Sequence, residues 1–117
     1  MSYTVVDETD VEPRRGVVRL MRRALGATAF GINRFDLPPG QEGFEHDEID
    51  TGQEEVYVIV AGGGVMRIDG VEIELRVGRW LLVSADATRQ PVAGPAGLSW
   101  ICIGGVPGAA YVQRDPF

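Results

Sequence analysis

The sequence predicts an all-β fold, an antiparallel barrel or sandwich preceded by one short helix. Three observations carry this expectation. Short runs rich in Val, Ile, Tyr and Trp recur about every ten residues, each closed by Gly, Pro or Asp. Asp69-Gly70 separates two such runs and is the strongest short hairpin signal a sequence can carry. The run at 55–61, EVYVIVA, is apolar on both faces beyond its first residue. A strand of that kind must be covered on both sides.

The elements follow in order. Residues 1–16 carry Asp7, Glu8, Asp10, Glu12, Pro13 and Gly16 and read as an arm, although Val5 and Val6 could pair as a short edge strand. Val17, Leu20, Met21, Ala24 and Leu25 fall on one helical face with Arg19, Arg22 and Arg23 opposite, which predicts a helix over 17–25 stopped by Gly26. The segment at 28–37 is a strand ended by Pro38-Pro39-Gly40. Strands follow at 55–61, 65–69, 71–75, 80–84, 88–92 and 98–103, with Gly62-Gly63-Gly64 and Gly104-Gly105 as turns. Residues 1–27 therefore form an arm and helix packed on a barrel of residues 28–117, one domain overall. Along 55–61, alternation puts Glu55, Tyr57, Ile59 and Ala61 on one face and Val56, Val58 and Val60 on the other. The barrel interior covers one face. The helix or a second copy covers the other, so a homodimer is expected.

Composition narrows the chemistry. The chain has 117 residues, 44% apolar and 24% charged, enough for one core without disulfides. The single cysteine, Cys102, excludes a disulfide framework and cysteine-based zinc sites, and in the apolar strand LSWICIGG it reads as an inert packing residue. The single histidine, His46, excludes any site needing two imidazoles. All eleven basic residues are arginine, so Schiff-base chemistry is absent. A net charge of −6 argues against nucleic-acid binding. Arg14, Arg15, Arg19, Arg22 and Arg23 read as a solvated helix face paired with the acidic arm. No apolar run is long enough to span a membrane, and the acidic N-terminus lacks the layout of a secretory signal, so a cytoplasmic location is expected. The acidic loop at 42–55 lacks the ligand spacing of an EF-hand and reads as largely solvated.

Two stretches together resemble the cupin superfamily. The first is Gly40, QEGFE, His46-Asp47-Glu48, a spacer IDTGQE, Glu55, VYVIVA and Gly62; the second is Gly78, RWLLV, Ser84-Ala85-Asp86, Ala87-Thr88, Arg89, QPV and Ala93. The resemblance covers about residues 28–104 and implies a cupin barrel or jelly roll. It also implies a metal site held by two histidines and a glutamate of the first motif and a histidine of the second. Of these, His46 and Glu55 stand in place, whereas Glu48 replaces one histidine and Arg89 another. The spacer before Glu55 is longer than the family's, which puts its reach to the ligand position in doubt.

Two readings of this site follow. In the first, no metal cofactor is expected. Arg89 pairs with Glu48 or Glu55 in place of the ion, because a guanidinium has no lone pair to ligate with. Arg89 and His46 then anchor a small, anionic molecule in a cavity lined by Phe30, Tyr57 and Trp100. In the alternative, His46, Glu48 and Glu55 hold Mn or Fe in an enzyme such as a dioxygenase or isomerase, hard oxygen donors suiting those ions.

Overall fold

The computed structural model describes residues 2–108 and 111–112. The end of the expected barrel span at 109–110 and 113–117 lies outside the described residues. Strands β1 (Val18–Arg19), β2 (Gly31–Leu37), β3 (Glu54–Ile68), β4 (Val71–Arg76), β5 (Trp80–Val83) and β6 (Arg89–Gly105) form an antiparallel sheet in the order β1-β2-β6-β3-β4, with β5 also paired to β3. The helix α1 spans Met21–Leu25 and a 3-10 turn spans Glu8–Asp10.

β3 and β6 are long strands bent over a core. The first half of β3 pairs with the second half of β6, from Glu54 opposite Gly105 to Gly62 opposite Leu98; the second half of β3 pairs with the first part of β6, from Gly64 opposite Ala93 to Ile68 opposite Arg89. The register shifts between Ile59 and Ala61 and again between Gly62 and Gly64. Such irregularities bend a strand and fold the ribbon over. Gly64 is required there, since a Cβ would stand 2.0 Å from the Val92 carbonyl oxygen. The glycine triplet expected as a turn is therefore the bend inside one continuous strand. The runs at 55–61 and 65–69 are likewise one strand, as are 88–92 and 98–103.

The bend closes the sheet on itself. Met66 and Leu75 from the β3–β4 end share one buried cluster with Leu37, Tyr57, Leu98 and Trp100 from the other end. The loop after β2 adds isolated bridges from Glu42 to Val92 and from His46 to Arg89. That second bridge positions the site.

The N-terminal expectations are corrected at two points. The helix begins at Met21 and makes little more than one turn, because Val17 and Val18 are drawn to the free edge of β2. Val18 pairs with Phe35 and Arg19 with Arg34, while the Val17 carbonyl accepts from the Asp36 amide at 2.9 Å. β-Branched residues gain more beside an unpaired strand edge than in a short helix. Gly26 stops the helix as expected, in the left-handed conformation with its N–H on the Arg22 carbonyl. Val5 is exposed and belongs to no strand. The five arginines do not share a helix face: Arg19 pairs with Asp36 across β1 and β2 at 3.1 Å and also reaches the Val11 carbonyl. Glu8 of the arm pairs with Arg34.

The alternation holds from Glu55 to Val60 and breaks at the register shift before Ala61, which is exposed where the inward face was expected. Tyr57 and Ile59 are buried, while Val56, Val58 and Val60 are half-buried on the outer face. Beside them β5 turns out Trp80 and Leu82, 67% and 60% exposed. The shortened helix lies against β2, where Met21 and Leu25 line a pocket with Ile32 and Ile101. Among the described residues, no helix is long and apolar enough to cross a membrane.

Candidate functional site

Four strand and loop segments converge on one carboxylate. Glu55, near the start of β3, lies opposite Val83 of β5 and Gly104 of β6, and shares its inward face with Tyr57 two residues on. His46 is clamped by its own backbone: its N–H donates to the Arg89 carbonyl at 3.0 Å and its carbonyl accepts from the Arg89 N–H at 2.9 Å. Glu48 is fixed by its N–H on the Ala85 carbonyl at 2.8 Å. The longer spacer is absorbed by a tight turn in which the Gly52 N–H returns to the Glu48 carbonyl. Glu55 therefore does reach the position that its spacing put in doubt.

The side chains form a compact network. Arg89 donates from Nη2 to Glu55 Oε1 at 2.6 Å, and Tyr57 donates its hydroxyl to the same oxygen at 2.9 Å. His46 Nε2 lies 3.5 Å from that oxygen and 3.4 Å from Glu48 Oε2. The Cys102 thiol donates to Glu55 Oε2 at 3.3 Å. Thr51 holds the other Glu48 oxygen at 2.8 Å. Burial alone would raise the pKa of Glu55, but hydrogen bonds from His46, Arg89, Tyr57 and Cys102 overcome it and hold the carboxyl at about 2. The Glu55 carboxylate raises the pKa of His46 against the opposing effects of burial and Arg89. Burial, then the Glu55 charge, pushes the Cys102 thiol up, so it is a protonated donor and no nucleophile.

Arg89 requires a correction. It is fully buried and does not line the cavity. Besides Glu55, it donates to the Tyr57 hydroxyl and to the Ser84 and Ala87 carbonyls. A guanidinium so engaged holds Glu55 in place and has little left for a ligand, so its expected anchoring role fails while its expected ion pair with Glu55 is present.

The cavity beside this network measures about 620 Å³. His46, Glu55, Tyr57 and Cys102 form its polar end, and Trp100, Phe35, Leu37 and Pro91 its apolar wall. Phe30 is the second correction. It lies just before β2, 46% exposed and outside the cavity, and Phe35 takes the place expected for it. Phe35 stacks on Trp100 with ring centroids 4.9 Å apart and planes within 5°. Strand parity identifies Phe35 from sequence, since it shares a face with buried Leu37. Cys102 was missed because an apolar strand gives no sign of a carboxylate across the sheet. Trp100 Nε1 and His46 Nδ1 are buried without a hydrogen-bond partner among the described residues.

His46, Glu48 and Glu55 can each bring one ligand atom within 4.8 Å of the others. One imidazole nitrogen and two carboxylate oxygens suit a hard divalent cation. Arg89 and Tyr57 already engage Glu55 Oε1 and the Cys102 thiol engages Oε2, so an ion taking Glu55 as a ligand would compete with these donors.

This bent, closed sheet with its histidine–carboxylate cluster defines the class: the chain belongs to the cupins, of the small one-barrel kind. It is 34% identical over 95 residues to dimethylsulfoniopropionate lyase DddW of Ruegeria pomeroyi, a match covering 81% of this chain and 51% of that protein. The chain thus spans about half the length of that curated relative. Among solved structures, a cupin protein from Bacteroides fragilis superposes with a TM-score of 0.82 at 27% identity, covering 97% of this chain and 92% of that one. A predicted oxalate decarboxylase from Thermotoga maritima gives 0.70 at 21% identity, covering 89% and 100%. No protein-family model matches the chain.

Proposed function

We propose that this cupin binds a small organic anion in its barrel without a resident metal, using His46 as the polar contact, beside Tyr57 at the polar end, and Trp100, Phe35 and Leu37 as an apolar wall. The observation that carries this reading is the Arg89 guanidinium on Glu55 at 2.6 Å. A built-in cation there balances the buried carboxylate that an ion would otherwise balance. A second reading, metal-dependent catalysis on a small carboxylate substrate, draws on the convergence of His46, Glu48 and Glu55 and on the likeness to a lyase acting on dimethylsulfoniopropionate. Mn or Fe held there would supply Lewis acidity.

Metal analysis of protein purified without added metal separates the two. Substoichiometric metal, unchanged in His46→Ala and Glu55→Gln, is expected. Stoichiometric Mn or Fe lost in both variants sinks the first reading in favour of the second. We also infer a homodimer formed through the outer face of β3, β5 and β6, supported by the exposure of Trp80 and Leu82 beside half-buried Val56 and Val58.

A further inference from the structure

We propose that the turn at Arg14 and Arg15 is a cationic rim that selects anions at the mouth of the barrel; this deepens the ligand-binding reading and rests on it. Both arginines are exposed and both line the cavity, beside exposed Phe44. The charges around them are unequally matched. The lining carboxylate Glu42 is paired with Arg67 at 3.2 Å, and Glu55 with Arg89; neither of these arginines lines the cavity. Arg14 and Arg15 have no carboxylate within ion-pair distance among the described residues. The uncompensated charge at the mouth is therefore positive, on a chain whose net charge is −6. A cationic mouth over an apolar wall concentrates anions and admits their apolar bodies.

The backbone holds the pair in place. The Arg14 N–H donates to the Val18 carbonyl at 2.7 Å, and the Val17 and Val18 N–H groups return to the Arg14 carbonyl. Arg15 adopts φ 53 and Gly16 φ 68, so a non-glycine residue stands in the left-handed region at the cavity mouth. Strain of that kind persists only where the surroundings enforce it. Val18 pairs with Phe35, the residue stacked on Trp100, which ties the turn to the cavity wall. Across the mouth, the Arg15 guanidinium lies over the Phe44 ring, 5.7 Å from its centroid, joining the arm to the loop that carries His46.

The test compares benzoate with benzamide, its uncharged near-isostere, using the NMR signals of His46, the only histidine, as the reporter of cavity occupancy. In wild type, benzoate binds more tightly than benzamide, and its affinity falls with added salt. Arg14→Gln/Arg15→Gln weakens benzoate about tenfold, leaves benzamide within about twofold, and flattens the salt dependence. Benzoate affinity unchanged in the variant, or equal loss of both compounds, overturns the rim while leaving the cavity reading intact. His46 signals unmoved by either compound in wild type overturn the ligand-binding reading, and the rim with it.

Discussion

Glu55 shows how one residue can keep a site's geometry while its balancing charge changes. Its carboxyl is held at about 2 against an ordinary 4.5, a differential interaction of about 3 kcal/mol. The sign follows from the direction: a depressed pKa contributes stability in full above 4.5, and that stability is lost as pH falls toward 2. Urea unfolding between pH 3 and pH 7 should therefore show wild type losing stability on acidification, with Glu55→Gln less stable at neutral pH by about 3 kcal/mol and converging on wild type below pH 4.5. Parallel curves would show that Glu55 does not carry this linkage. His46 has the opposite sign, its raised pKa adding stability below the ordinary value near 6.5 and losing it as pH rises through the folded value. The cupin resemblance made His46, Glu48 and Glu55 legible as neighbours although the spacer put Glu55 in doubt, and strand alternation placed Tyr57 on the face of Glu55. The sequence misassigned Phe30, which lies before the strand's start at Gly31 and on the parity opposite to Phe35 and Leu37. It misjudged Arg89 because an arginine in a ligand position does not disclose how many carbonyls already engage it.

At the scale of elements, the bends in β3 make specific demands. Gly64→Ala forces a methyl to 2.0 Å from the Val92 carbonyl oxygen, whereas Gly105→Ala at the end of β6 meets nothing within 4 Å. Thermal unfolding should show Gly64→Ala destabilised by more than about 2 kcal/mol and Gly105→Ala within about 0.5 kcal/mol of wild type. Equal tolerance at both sites would contradict the tight β3–β6 crossing. Strand content was legible from β-branched runs and turn residues. The joining of runs across Gly62-Gly63-Gly64 was not, because a glycine bulge and a glycine turn share one composition. The helix is shorter than the expected 17–25 for a related reason. Helical periodicity in a short window says nothing of a strand edge waiting to pair with Val18, and only the tertiary partner decides.

For the molecule as a whole, the proposed dimer rests on the outer face of β3, β5 and β6. Trp80 and Leu82 are large, apolar and exposed beside a row of half-buried valines, an arrangement that favours a partner. Light scattering coupled to size exclusion should find a dimer in wild type and a monomer in Trp80→Glu/Leu82→Glu. A monomeric wild type rules the dimer out.

The sheet order has a last consequence, for how the chain reaches this state. β6 lies between β2 and β3, although it is the last strand in sequence among the described residues. Neither neighbour can complete its ladder until β6 arrives, so most of the cross-strand pairing waits on contacts between segments far apart along the chain, while the β3–β4 hairpin can form locally. High contact order of this kind places folding in the milliseconds-to-seconds range. During synthesis, the apolar edge of β3 has no permanent partner until the β6 segment has emerged. The acidic loop and net negative charge then help to keep nascent chains from joining one another edge to edge.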